Sequence, residues 1–467
     1  MASLAGMLQT AGHRVTGSDA AAYPPMSTQL AGWGIDVAQP YRESNLEPRP
    51  DLVIVGNAIS RGNVELERVL DERIPFQSMA ALLHDEFLVG REPLVVAGTH
   101  GKTTTTSMLA WIYQVAARDD ARWDPSFLIG GVAENFGTSF QVRPSSPFIL
   151  EGDEYDTAFF DKGPKFLHYF PQAAVLTHVE FDHADIYANL EAVKTAFKRF
   201  VNLIPRSGRL VAFDGSEYVT ECVTNAFCPV ERYGKVQDSH WRVSAIEHRD
   251  GGVEWRLDRT GELFAHLMLP MPGEHNAMNA TAAAALAAGQ GVPAGAIVEA
   301  LRTFRSVKRR LEVRAQVGGV TVIDDFAHHP TAIRETLRAL RQAYPAARLW
   351  AVLEPRSNTL RRNVFADALV DALGLADEVV LASVFKSENL RDAERLDPAA
   401  VAERLRAWGK AAVACADASV IVAEIAPRLR AGDVVAILSN GGFGNIYDLL
   451  PNALRKRLAE SSAGVLG

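Results

Sequence analysis

An α/β protein of about three domains, built on parallel sheets with covering helices, is predicted by two features of this 467-residue chain. Short continuous apolar runs recur along it, and amphipathic or alanine-rich helical stretches separate many of them. Unbroken apolarity marks strands buried on both faces, which belong to parallel sheets. The domain count follows from length, at roughly 150 residues to a domain.

The chain opens on a helix over 2–11 and passes through Gly12 into HRVTGSD, a strand ending in Ser18 and Asp19. A nucleotide-binding α/β unit ordinarily starts with an apolar strand and a glycine loop ahead of its first helix. Either that strand is absent here or the start is placed too late. The next strand is DLVIVGNAIS (51–60), and PLVVAG (93–98) then runs straight into THGKTTTTSMLAWIYQVA, which reads as strand, loop and helix. Further buried strands are predicted at 148–150, 173–179, 320–324, 348–354, 378–383 and 433–440, with helices at NAMNATAAAALAAGQ and PTAIRETLRALRQAY. Charged or turn-rich breaks near 88 and 305 divide the chain into 1–88, 89–305 and 306–467.

Composition narrows the function. A net charge of -8 provides no basic field for a phosphate backbone, so nucleic acid is not an expected partner. The three cysteines, Cys222, Cys228 and Cys415, are odd in number and lack CxxC spacing, so neither a disulfide framework nor a thiolate zinc site is indicated. No apolar run reaches the roughly 18 residues of a membrane span, and the first residues lack a secretory signal. A cytoplasmic protein that does not associate with membranes is expected.

The strongest chemical signal is GTHGKTTTT (98–106) between an apolar strand and a helix. Gly98, Thr99 and Gly101 would turn backbone N–H groups inward. Lys102 would bring a full charge to the β- and γ-phosphates, Thr103 would offer its hydroxyl to Mg2+, and Thr104 continues the helix start. Val96 stands where the general phosphate-loop pattern has its first glycine, so the match is to GKT in the right setting; a helix-capping Gly-Lys turn is the bland alternative. No NKxD motif accompanies it, which weighs against a GTPase. Downstream, THVEFDHADIY (177–187) crowds Glu180, Asp182, His183 and Asp185 at a strand's end, suited to magnesium or to a plain polar turn. In GEHNAMNATAAAA, Asn276 and Asn279 suit adenine or a helix cap. In KRRLE and VTVIDDFAHHPTAI, an arginine suits a γ-phosphate and an aspartate a ribose hydroxyl; the His328–His329 pair fits capping or substrate contact better than zinc.

These four motifs, in this order, resemble the Mur ligase family over essentially the whole chain. The resemblance implies a Rossmann-like N-terminal domain for a UDP-sugar, its first strand missing here. It further implies a central P-loop ATPase domain and a C-terminal Rossmann-like domain that presents the amine. It assigns Lys102 and Thr103 to phosphate and Mg2+, Glu180 and His183 to a second Mg2+, Asn276 and Asn279 to adenine, and Arg310 with Asp325 to phosphate and ribose. Ser18, Asp19 and Ser60 become candidate substrate contacts in the first domain. Asn135, Gly137 and Thr138 of GGVAENFGTS are similar to the loop receiving the activated carboxyl, and Glu154 lies in the acidic segment EGDEYDTAFFDK. Some relatives carry a carbamylated lysine near the second metal, and Lys198 or Lys194 could match it.

Two branches of the family carry DD-x-A/G-HHP, one adding L-alanine to UDP-N-acetylmuramate and one adding a murein peptide. YPPMST (23–28), EGDEYDTAFFDK and EPRSNT (354–359) are similar to the second, with Arg356 suited to a peptide carboxylate. The implied reaction joins UDP-N-acetylmuramate to L-Ala-γ-D-Glu-meso-diaminopimelate in peptidoglycan recycling. ATP goes to ADP and phosphate through an acyl phosphate, and His183 or His328 takes the amine's proton. Alanine addition is the near alternative. Folylpolyglutamate synthase shares GKTT but lacks DDFAHHP, and a nucleotide-gated binding protein is the alternative from another class.

Overall fold

The computed structural model describes residues 1–22, 26–249, 251–386, 388 and 390–465, without the side chains of 461–465. The predicted segment 23–28 therefore lies partly outside the described residues.

The middle of the chain forms a ten-stranded sheet. Its centre is the strand Glu92–Ala97, flanked in parallel by Pro147–Gly152 and Ala173–Leu176. Leu94, Val95, Val96 and Ala97 are completely buried, as unbroken apolar strands between two helical layers must be. The helix Lys102–Ala116 and the alanine-rich helix Glu274–Gly289 pack side by side. Ala282 to Ala285 are completely buried, and their small side chains let the elements around the helix approach it closely.

The sheet is mixed, which corrects the expectation of parallel sheets alone. At one edge Trp241–Arg249, Gly252–Arg259 and Glu262–Leu269 form an antiparallel meander; at the other, Ser126–Ala133 pairs antiparallel with Thr138–Gln141. Burial largely alternates along Gly252–Arg259, whose outward residues face solvent, so its apolarity is never continuous. The turn into Glu262–Leu269 passes through Thr260 and Gly261, at φ +49° and +89°, the left-handed pair that a tight hairpin favours.

A second sheet of six strands begins after residue 311. Its parallel strands run Val320–Asp325, Val434–Leu438, Leu349–Leu353, Glu378–Ala382 and Ala411–Cys415, with Glu312–Val317 antiparallel on the outer edge. Among the described residues of the N-terminal part, two parallel pairs form, Gly17–Ser18 with Val37–Ala38 and Val53–Val55 with Phe76–Ser78. The expected strands at 13–19 and 51–60 are thus much shorter than predicted, and Ser60 lies in the turn that follows. The first helix, Ala2–Thr10, buries Leu4 and Met7 against the neighbouring core. Among the described residues no helix is long and apolar enough to cross a membrane.

Capping is local and testable. Asn63 accepts from the N–H groups of Glu65 and Leu66 at 3.0 and 3.1 Å and starts the helix Val64–Asp71. Asn63→Ala is expected to lower stability by about 1 kcal/mol, read from the urea midpoint.

Candidate active site

The strand Glu92–Ala97 ends where Gly98 and Gly101 take φ +134° and +80°. A Cβ on Gly98 would strike Thr177 Oγ1, and one on Gly101 would lie 2.5 Å from Asn279 Oδ1. The loop is thus held against two neighbouring elements with no room for side chains, and the Thr99 N–H ties it to the His178 carbonyl at 2.8 Å. Gly101→Ala is expected to raise the KM for ATP by at least about tenfold, through displacement of Asn279 and a strained left-handed alanine. Steady-state kinetics with ATP varied would detect it.

Lys102 Nζ donates to the Gly98 carbonyl at 2.8 Å and lies 2.7 Å from Glu154 Oε2. Burial disfavours the ammonium, but the carboxylates of Glu154, Asp153 and Glu151 outweigh it and hold the pKa above the ordinary lysine value. Beside it, Thr103 Oγ1 donates to Glu151 Oε1 at 3.0 Å, and Arg310 Nη2 stands 3.4 Å from the same hydroxyl. Glu151 also accepts from the N–H of Gly130 at 2.8 Å; burial pushes its carboxyl up, with Lys102 opposing.

Glu154 is only 1% exposed and binds His183 Nε2 at 3.1 Å. Burial would raise its pKa, yet Lys102 and His183 bring it down to about 2. Glu154 reciprocally holds the His183 imidazolium above the usual histidine range against burial. His183 sits at φ +54°, a strained backbone braced by its own N–H donating to Asp182 Oδ1 at 2.7 Å.

Glu180 lies elsewhere. Its Oε2 contacts His100 Nε2 at 3.0 Å and Thr331 Oγ1 at 2.7 Å, with His329 Nδ1 at 3.6 Å. Thr103 is expected at one Mg2+ and Glu180 with His183 at a second, and that pair takes separate partners here. Thr103 goes with Glu151, His183 with Glu154, and Glu180 with His100 and His329. Magnesium favours oxygen donors, so the hydroxyl and two carboxylates of Thr103, Glu151 and Glu154 fit it better than the His100–Glu180–His329 group.

A cleft of about 420 Å3 opens between the two sheets, lined by Tyr155, Asp182, His183, His328 and Arg356. It is bridged from the C-terminal side: Thr359 Oγ1 donates to buried Asp182 at 2.6 Å, and Asn358 Nδ2 to Asp185 at 2.7 Å. Ser357, Asn358 and Thr359 all come from the predicted EPRSNT segment. His328 Nδ1 binds the Phe326 carbonyl at 2.8 Å, which fixes the proton there and leaves Nε2 without a hydrogen-bond partner among the described residues. Burial pushes the His328 pKa down.

The remaining predicted residues are placed as follows. Asn276 Nδ2 donates to the Pro272 carbonyl at 2.8 Å, and neither asparagine caps the helix. Asp325 is buried and accepts from Leu311 N, Ala327 N and Thr336 Oγ1 at 2.8–3.1 Å. Asn135 ties Thr303 O and Arg305 N to the turn that contains Gly137 and leads into the strand at Thr138. Ser18 and Asp19 end the short first strand, and Asp19 accepts from the N–H of Ala21. Arg356 stacks on Phe385 at 3.7 Å. Arg309 and Arg310 diverge: Arg309 serves Asp324, Ser439 and Gly441, while Arg310 turns to the phosphate loop. Lys194 and Lys198 both pair with Glu221, outside this constellation. Sequence reasoning missed Glu151, His100, Tyr155 and Thr359, although each lies within a motif it had singled out.

Profiles of the Mur ligase family match the chain in three parts: the family's catalytic domain at 1–87, its middle domain at 96–287 and its glutamate ligase domain at 309–441. With the phosphate loop and the cleft beside it, they define an ATP-dependent ligase that forms carbon–nitrogen bonds. The chain is 41% identical over 458 residues to the UDP-N-acetylmuramate–L-alanyl-γ-D-glutamyl-meso-2,6-diaminoheptandioate ligase of Escherichia coli, covering 98% of this chain and 96% of that one. It is 39% identical to the Haemophilus influenzae protein of the same name, over 97% of each. The crystal structure of a murein peptide ligase from Psychrobacter arcticus superposes with a TM-score of 0.73 at 34% identity, over 97% of this chain and 96% of that one. The protein belongs to the Mur ligase family.

Proposed function

We propose that this ligase joins the carboxyl of UDP-N-acetylmuramate to the amine of L-Ala-γ-D-Glu-meso-diaminopimelate, in the recycling of peptidoglycan in the cytoplasm. The observation that carries the reading is the full-length identity of 41% to the Escherichia coli ligase named for that peptide. The domain limits 1–88, 89–305 and 306–467 are proposed with it, as sugar-nucleotide, ATP and amine domains.

A carboxylate is a poor electrophile, so it first accepts the γ-phosphoryl of ATP. Lys102 and Arg310, converging on the start of the phosphate-loop helix, spread the charge that develops there. Asn276, Asn279 and Asp325 are proposed for the nucleoside, and Asn135, Gly137 and Thr138 for the donor carboxyl. Ser18, Asp19 and Ser60 are proposed for the sugar nucleotide. Mg2+ would be held by Thr103, Glu151 and Glu154, with His183 alongside, and would neutralise phosphate charge. The acceptor amine enters from the cleft and must lose a proton as it attacks. Glu154 favours the imidazolium of His183, whereas burial favours the neutral form of His328 and its Nε2 has no hydrogen-bond partner among the described residues, so His328 is proposed as the base. Phosphate then leaves from the acyl carbon.

The test is ADP release with UDP-N-acetylmuramate and either the tripeptide or free L-alanine. Tripeptide-dependent turnover is expected; turnover with alanine alone would overturn the reading and place the enzyme among the alanine-adding ligases.

A further inference from the structure

We propose that Arg361 and Lys386 form a second anion subsite in the lining of the cleft, which receives the carboxylates of the acceptor's diamino acid and so selects a polycarboxylate peptide. The inference rests on the peptide-adding reading above.

The two cations stand out by their lack of counter-ions. Around them, Arg362 pairs with Glu394, Arg391 with Glu394 and Arg395 with Asp392. Arg361 and Lys386 have no acidic partner among the described residues, although both line the cleft. Arg361 donates to Asn358 Oδ1 at 2.7 Å and to the carbonyls of Phe385 and Lys386 at 3.4 Å, while its Nε is buried with no acceptor. A half-buried guanidinium with an unused donor calls for an anion. Lys386 is held at φ +49°, a conformation costly for a lysine, and its carbonyl is one of the two that Arg361 holds. The segment is shaped to keep this cation at the rim.

Both signs of charge line the cleft: Asp182 and His183 stand in the same lining as Arg356, Arg361 and Lys386. Asn358 joins the two sets, its Nδ2 donating to Asp185 and its Oδ1 accepting from Arg361, each at 2.7 Å. Free alanine carries one carboxylate, which Arg356 alone can meet. The tripeptide carries three: one on the γ-linked D-glutamyl residue and two on diaminopimelate. Arg356 is assigned to the first, and Arg361 with Lys386 to the diaminopimelate pair.

The experiment measures kcat and KM for two acceptors, L-Ala-γ-D-Glu-meso-diaminopimelate and L-Ala-γ-D-Glu-L-Lys, which lacks the distal carboxylate. Wild type, Lys386→Gln and Arg361→Lys are compared, with melting temperatures recorded. The wild type is expected to prefer the diaminopimelate peptide. Lys386→Gln is expected to raise the KM for that peptide by about tenfold or more, with kcat and the KM for ATP nearly unchanged. The change with the lysine peptide is expected to be smaller, so the preference collapses, and Arg361→Lys should move in the same direction. Preference retained in a folded Lys386→Gln enzyme, or no preference in the wild type, overturns the subsite. A wild type that turns over alanine and neither peptide instead overturns the peptide-adding reading itself.

Discussion

Replacing Lys102 by methionine is expected to lower kcat about a thousandfold while the chain still folds. Methionine matches the length and bulk of lysine and removes only the charge. Loss of one preorganised hydrogen-bond donor to a developing oxyanion costs on the order of 10²–10³ in rate, and a full cation aimed at a phosphoryl group costs no less. A second effect separates this from general damage. Glu154 is buried and held ionised by Lys102 first and His183 second. Breaking such a pair from one side costs about 3–5 kcal/mol because the remaining charge stays buried. A group with a depressed carboxyl pKa contributes stability above its unfolded value of 4.5, lost as pH falls toward 2. Without Lys102 that depression shrinks, so acid unfolding should begin at higher pH. Adding Glu154→Gln should restore the melting temperature and leave kcat low; recovery of kcat in the double variant would remove Lys102 from the chemistry.

His328→Gln is the second large effect expected, a loss of about 10²–10⁴ in kcat, with the KM for ATP unchanged. The wild-type rate should fall on the acid side as His328 becomes protonated. Burial lowers its pKa beneath the ordinary 6.5, while Asp182 pulls it back up. The acid limb therefore lies below 6.5, and Asp182→Asn should shift it lower still. As to stability, a histidine with a depressed folded pKa contributes fully above 6.5 and progressively less as pH falls below it. An acid limb that persists unchanged in His328→Gln would assign that proton elsewhere.

How far the sequence could be read depended on the kind of signal. Strands buried on both faces, such as Glu92–Ala97 and Val434–Leu438, were legible because nothing polar interrupts them. The meander at 241–269 was not, because a half-exposed strand scatters its apolar residues and a search for continuous runs passes over it. The phosphate loop was legible as Gly-Lys-Thr between a strand and a helix. Which acids face it was not. Glu180 and Glu154 both follow strands in acidic segments, and only the backbone's path beyond each strand turns one toward His100 and the other toward Lys102. Asp325 looked like a ligand contact by type, yet its three internal donors make it first a brace for the joint between the sheets.

That joint brings one cation to a site otherwise made by the other domain. Thr103 and Arg310 meet across it, as do Glu180 with Thr331 and Asp182 with Thr359. The proposed nucleotide site and the proposed acceptor cleft therefore share a single mechanical condition, the docking of one sheet on the other. Linkage then requires symmetry: any factor by which bound acceptor tightens nucleotide is the factor by which nucleotide tightens acceptor. In such an enzyme, a ligand that tightens the contacts across that joint at one site would be felt at the other.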